Sequence, residues 1–286
     1  MRLLGLITAL FAIPAFAEEP IGDAALTMPI FDAHIHYKEP AWNVYPPKTV
    51  IKMMDRNGVA MGLVSSTPDA GTIKLWKYAK GRIVPELRPY RKGAGSSDWT
   101  KDEGMEAYLE RRLSRYPHEG IGEFHIRSID PDDEDLLRAV TQMAKVRDIP
   151  IHVHSSAEPV ELLYRLEPSL TIIWAHVGMT DGPDIAMKMF DKYPTLYADT
   201  SYRENDILVG GKLDTDWAKV IRKHHERLMI GSDTWVNSQW DIYDAIIDVN
   251  RKWLSLLPKE QAENIAFKNA ERLFGRKIDL SLIGTK

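Results

Sequence analysis

Eight short runs of apolar and β-branched residues recur along the chain, most of them followed by a stretch with the periodicity of an amphipathic helix. This alternation limits the fold more than any other feature. The runs cover residues 30–36, 59–65, 83–87, 121–126, 149–154, 170–176, 196–200 and 228–232. Helical patterns cover 48–57, 103–116, 132–147, 159–166, 183–193, 216–225 and 239–256, and a last one, 259–274, stops at Gly275 in the manner of a glycine C-cap. Strand and helix alternating over roughly 250 residues is the arithmetic of an α/β protein of the (β/α)8 TIM-barrel type. An open doubly wound sheet is the rival, but its first strand is usually followed by a glycine-rich phosphate turn. Here the first run ends in His36-Tyr37-Lys38-Glu39. The stretch 70–102 is the least regular and reads as loops around the third strand that cover the barrel mouth. With no internal repeat, residues 29–275 form a single domain, preceded by a linker over 18–28 and followed by a tail over 276–286.

The chain has 286 residues, 44% hydrophobic and 27% charged, which is ample for a large core. Its net charge of -4 has no basic block behind it. That excludes the electrostatic footprint of a nucleic-acid binder and makes a small soluble molecule the expected partner. The N-terminus, MRLLGLITALFAIPAFA, combines Arg2, an apolar run over 3–13 and a small-x-small site at Ala15-Phe16-Ala17. It reads as a secretory signal peptide over 1–17, cut after Ala17. The apolar run is short for a bilayer span of about 20 residues, so no membrane anchor is expected after cleavage and the mature chain is assigned to the periplasm or outside. The absence of cysteine excludes disulfides and acylation at a cysteine. A homo-oligomer is compatible with all of this.

In a barrel of this kind reactive groups lie at the C-terminal ends of strands. Of the nine histidines, His34, His36, His125, His152, His154 and His176 all fall within or at the ends of the runs, and the last run ends in Gly231-Ser232-Asp233. Residues i and i+2 project from one face of a strand, so His34 and His36 can share a cation. Alone, this spacing is weak, because buried histidines commonly only hydrogen-bond. The coincidence of His154, His176 and Asp233 at three later strand ends turns the balance towards metal.

Taken in order, FDAHIH, GEFH, HVHS, WAHVG, GSDTW and the closing NAERLFG resemble the amidohydrolase superfamily, in particular its amidohydrolase-related (amidohydrolase 2) branch, from about residue 30 to 275. The resemblance implies a metal-dependent (β/α)8 barrel whose cofactor is Zn2+ or another divalent transition metal. It implies that His34 and His36 are ligands from the first strand, His154 from the fifth and Asp233 from the eighth, with His176 at the sixth. Glu123 occupies the place where some branches carry a carboxylate bridging two ions. If it ligates, His154 and His176 hold a second ion; if not, one ion is held by His34, His36, His154 and Asp233. Ligand counting favours one ion over two, with Glu123 otherwise paired to a cation such as Arg127.

Asp233 and His176 are the expected catalytic residues, Asp233 moving the proton of a water activated by the metal and His176 assisting proton transfer or stabilising an oxyanion. His152 and Asp32 read as hydrogen-bonded support, and His125 lies where it could reach substrate. His118, His224 and His225 read as surface; Arg88, Arg91 and Arg203 could grip a substrate carboxylate but read more simply as surface charge. The expected activity is metal-dependent hydrolysis of an amide, cyclic amide, lactone or ester by an exported enzyme. The alternatives are a zinc-dependent non-oxidative decarboxylase of an aromatic or unsaturated acid and, less favoured, a TatD-like phosphodiesterase. A non-catalytic binding protein would not require both His176 and Asp233.

Overall fold

A computed structural model describes residues 19–282. The signal-peptide assignment over 1–17 and the end of the tail lie outside the described residues. The chain alternates β1 (Ile30–Ile35), α1 (Pro47–Arg56), β2 (Val59–Ser65), α2 (Ala70–Tyr78), β3 (Ile83–Glu86), α3 (Met105–Arg115), β4 (Ile121–His125), α4 (Glu134–Arg147), β5 (Ile151–His154), α5 (Ala157–Leu166), β6 (Ile172–Trp174), α6 (Pro183–Lys192), β7 (Leu196–Asp199), α7 (Thr215–His224), β8 (Leu228–Met229) and α8 (Tyr243–Leu254). All barrel pairings are parallel. β1-β2-β3 form one sheet and β4-β5-β6-β7-β8 a second. Two single bridges, Leu87 with Ile121 and Asp32 with Ile230, join the two sheets at both edges and complete the ring.

The inner cluster of Phe31, Ala33, Met61, Leu63, Val84, Ile173 and Met229 fills the barrel, and Ala270 closes it from below. Ala270 belongs to the final helical segment, which runs from Lys259–Glu263 through a π-helical Asn264–Lys268 to Asn269–Phe274. Asn269, the first residue of the NAERLFG motif, donates to the carbonyls of His225 (2.7 Å) and Leu228 (2.6 Å), and Phe274 stacks on Phe31 at 5.6 Å. The motif therefore seals the N-terminal end of the barrel and leaves the other end open. Residues expected to form a linker are docked: Arg251 of α8 donates to the carbonyls of Ala25 (2.5 Å) and Met28 (2.8 Å). Among the described residues no helix is long and apolar enough to cross a membrane.

Two sequence expectations are corrected. The stretch 70–102 is not loop throughout: α2 packs so closely that a Cβ on Gly71 would lie 2.1 Å from the carbonyl oxygen of Tyr37, and its weak amphipathic pattern reflects that tight contact. The sixth and eighth runs are also shorter as strands than their apolar patterns. His176 (φ 58°), Val177 (φ 47°) and Asp233 (φ 45°) adopt left-handed backbone, costly for non-glycine residues and concentrated where side chains must be re-aimed.

Candidate metal centre

The pairing of β1 with β2 shifts between Asp32 and Ile35. Strict alternation would send Ala33 and His34 to opposite faces, yet Ala33 packs in the inner cluster while the His34 and His36 rings meet at the open end, Nε2 to Nε2 at 3.1 Å. Their other nitrogens are occupied. Nδ1 of His34 hydrogen-bonds Oδ2 of Asp199 at 3.2 Å, and Nδ1 of His36 donates to the Ser65 carbonyl at 2.7 Å. Held in this way, the rings would present bare Nε2 lone pairs to each other when neutral.

Asp233 completes this group. Its Oδ1 lies 3.2 Å from Nε2 of His36 and 3.5 Å from Nε2 of His34, buried and without a hydrogen-bond donor. Three acceptors turned towards one point require a cation or a proton. Protonation answers part of that demand in the metal-free protein. Burial alone would lower the His34 pKa, but Asp233 and Asp199 outweigh it and push the ring up to about 9. Burial would likewise raise Asp233, and His34 and His36 instead draw it down to about 2. A divalent ion satisfies two imidazoles and a carboxylate better than one proton can, so the residues fit a metal.

Glu123 joins this group to a second. Its Oε2 is 3.3 Å from Nε2 of His36, and its Oε1 is 2.9 Å from Nδ1 of His154, which is in turn 3.2 Å from Nε2 of His176. Among the described residues, His34, His36 and Asp233 form one ligand-competent set, Glu123, His154 and His176 another, and His34, His176 and Asp199 a third. His154 thus lies with Glu123 rather than in the set of the HxH pair. The cation on Glu123 is Arg88, not the anticipated Arg127. Arg88 donates from Nη2 to Oε2 at 2.5 Å and from Nε to the Glu123 carbonyl at 2.8 Å. Against a burial penalty that would raise it, Arg88 holds the Glu123 carboxyl well below its ordinary value.

The supporting residues are specific. Asp199, at the end of β7, binds His34 and His152 and is also 3.4 Å from the His176 backbone nitrogen. His152 bridges it to Glu86, and burial, which would lower its pKa, is overcome by both carboxylates, which push it up to about 10. His176 holds the Ser201 carbonyl through Nδ1 at 3.1 Å, leaving Nε2 as acceptor, and burial pulls its pKa down to about 4. His125 Nδ1 and the Tyr90 hydroxyl share a hydrogen bond at 2.9 Å, and burial pulls the ring's pKa down to about 3, so it stays neutral. Asp32 ties the edge strands together, accepting from Ser232 N (2.9 Å), His34 N (3.2 Å) and the Tyr243 hydroxyl (3.0 Å).

Sequence reasoning missed Asp199 and Ser201: Asp199 lies next to last in the seventh run, which closes at Thr200, and carries no motif that singles it out. His118 and His224 are not surface residues: both are buried, paired with Asp69 and Asp191. Arg203 is buried structural support on the carbonyls of His176 and Asp181. A cavity of about 1360 Å³ opens over the metal group, walled by His36, Glu123, His154 and Asp233 below and by the 90–98 segment, Tyr202 and Trp235 above.

The amidohydrolase family profile matches residues 83–276. The chain belongs to the amidohydrolase family. As a member it is an enzyme of the metal-dependent hydrolase class. The amidohydrolase is similar in fold to a probable 2-pyrone-4,6-dicarboxylic acid hydrolase from Acinetobacter baumannii (16% identity, 87% of this chain and 100% of that one, TM-score 0.59). Dihydroorotase from Campylobacter jejuni is similar at 15% identity over 88% and 84% of the chains, TM-score 0.59. A triple variant of organophosphorus hydrolase from Deinococcus radiodurans is similar at 14% over 91% and 98%, TM-score 0.57. At these identities the likeness establishes the TIM-barrel fold. No curated protein sequence matches this amidohydrolase.

Proposed function

We propose that the protein cleaves a lactone, ester, amide or cyclic amide bond of a small molecule, using one divalent ion, zinc or a neighbour of it, held by His34, His36 and Asp233. The observation that carries this reading is the buried, donor-less Oδ1 of Asp233 facing two bare imidazole nitrogens below a large cavity. When bound, such an ion polarises a carbonyl and lowers the pKa of water. Asp233, held ionised, accepts the proton of the attacking water and returns it to the leaving group. His176 has its Nδ1 proton committed to Ser201, so its bare Nε2 serves as a proton acceptor and not as an oxyanion donor. Neutral His125, fixed by Tyr90 at Nδ1, lines the cavity and is placed to hydrogen-bond substrate through Nε2.

Arg88 supports one ion rather than two, because it already supplies a positive charge at Glu123 Oε2, where a bridging carboxylate would serve a second metal. Export is proposed on the N-terminal sequence alone, as is action on a compound met outside the cytoplasm. Elemental analysis of the purified protein should find close to one equivalent of metal, lost in His34→Ala/His36→Ala. Full retention in that double variant sinks the site. A panel of lactones, esters and amides, assayed with parallel detection of carbon dioxide, should give hydrolysis products; carbon dioxide release without bond hydrolysis would favour the decarboxylase.

A further inference from the structure

The barrel interior changes character above its apolar filling. Val84 belongs to the inner cluster, and Glu86, two residues on, stands next above it on the same face of β3. A barrel interior is ordinarily filled by branched apolar side chains, yet buried polar groups from β3, β5, β7 and β1 are joined here. Oε2 of Glu86 lies 3.2 Å from Nδ1 of His152, and Nε2 of His152 lies 3.1 Å from Oδ2 of Asp199. The same Oδ2 lies 3.2 Å from Nδ1 of His34, so a chain that starts on β3 ends at a proposed ligand of the ion.

Glu86 is the member of this chain that nothing else accounts for. It is 1% exposed, its Oε1 has no hydrogen-bond partner, and among the described residues its carboxylate bonds only His152. Burying a carboxylate with one oxygen unsatisfied is costly. The chain makes room for it nonetheless, since a Cβ on Gly120 would lie 2.9 Å from Oε1. Apolar groups in place of a buried ionic pair are often neutral or stabilising, so stability does not explain the arrangement. Asp199 does. Its Oδ1 is fixed by the Ser201 backbone nitrogen at 3.0 Å, whereas Oδ2, the atom that meets His34, is held by His152 and, at a longer 3.4 Å, by the His176 backbone nitrogen.

We propose that Glu86 and His152 are positioning residues for the ion: Glu86 braces the His152 ring, the ring fixes Oδ2 of Asp199, and Asp199 fixes the His34 ring. Metal affinity is thereby set in part from β3, a strand that supplies no ligand. An imidazole held by an acceptor at each nitrogen keeps one orientation; with the first acceptor gone it can turn or change tautomer and withdraw its donor from Asp199. The proposal rests on reading His34 as a ligand and adds to that reading residues outside the ligand set.

The test measures zinc by chelator competition and needs no turnover. Glu86→Leu/His152→Leu removes the brace without leaving a lone buried charge. Zinc should bind about tenfold more weakly to this variant, the visible spectrum of the cobalt-loaded protein should change as the His34 ring reorients, and the unfolding midpoint of the metal-free protein should stay level or rise. In an Asp199→Asn background the same two substitutions should cost nothing further, because their effect passes through Asp199. Unchanged zinc affinity overturns the proposal. So does an equal loss in the Asp199→Asn background, which would make the effect independent of Asp199, and so does a fall in midpoint alongside the loss, which would make the role merely structural. If the leucine pair fails to fold, Glu86→Gln, isosteric and uncharged, is judged by the same results. A native protein that holds no zinc, or keeps it in His34→Ala/His36→Ala, refutes the metal reading and the brace with it, whereas equally tight zinc in the native and brace variants refutes the brace alone.

Discussion

At His34 the two ring nitrogens meet opposite demands. Nδ1 is fixed by Asp199, itself buried and held well below the ordinary carboxylate range by its histidine neighbours despite the burial penalty, and Nε2 is thereby left free for the metal group. A carboxylate behind a ligating imidazole fixes its tautomer and raises its basicity, and loss of such a partner typically costs about 10–100-fold in metal affinity. Asp199→Asn should therefore weaken zinc binding by about that factor in a chelator competition. An unchanged affinity would mean that Ser201, whose Oγ is 3.3 Å from the same nitrogen, orients the ring alone. The six residues His34, His36, Glu123, His154, His176 and Asp233 were legible in the sequence because each lies within, closes or follows a strand-like run. Asp199, Ser201 and the pairing of Arg88 were not, because support from another strand depends on which strands are adjacent and leaves no spacing within the chain.

At the scale of elements, the strands and most helices were legible because their periods differ, and the errors fell where tertiary contact overrides pattern. α2 is the clearest case. Gly71 weakens the helix locally, and its replacement by alanine would gain up to about 1 kcal/mol in helix propensity. The added Cβ would meet the Tyr37 carbonyl oxygen at 2.1 Å and the Trp42 Nε1 at 3.0 Å. Overpacking of this kind costs typically about 1–3 kcal/mol, and a backbone oxygen gives way less readily than the tip of a side chain. The clash wins. Gly71→Ala is expected to lower the urea midpoint with little change in the m value; a higher midpoint would show that α2 can retreat from β1. The strands β6 and β8 end early for a related reason, since His176 and Asp233 leave extended backbone to reach the centre of the mouth.

At the scale of the whole molecule, the barrel is two sheets in contact along two narrow edges, and both the group of His34, His36 and Asp233 and the Arg88–Glu123 pair span one of them. His34 and His36 come from the three-stranded sheet and Asp233 from the far edge of the five-stranded one; Arg88 and Glu123 face each other across the opposite edge. Among the described residues, one bridge and a few hydrogen bonds, such as Asp233 N to the His34 carbonyl at 2.6 Å, hold the first edge. The ion would then act as a clasp, binding the closed ring and not the parted one, and stabilising closure by mass action. Chelation should speed amide exchange at residues 32–36 and 230–234 well before the β5–β6 ladder responds. If exchange rises evenly across the ring, or not at all, closure owes nothing to the metal. A catalyst built in this way would lose its shape and its chemistry together, so that starvation for the ion would be felt first as a loosening of the barrel wall and only through that as a loss of turnover.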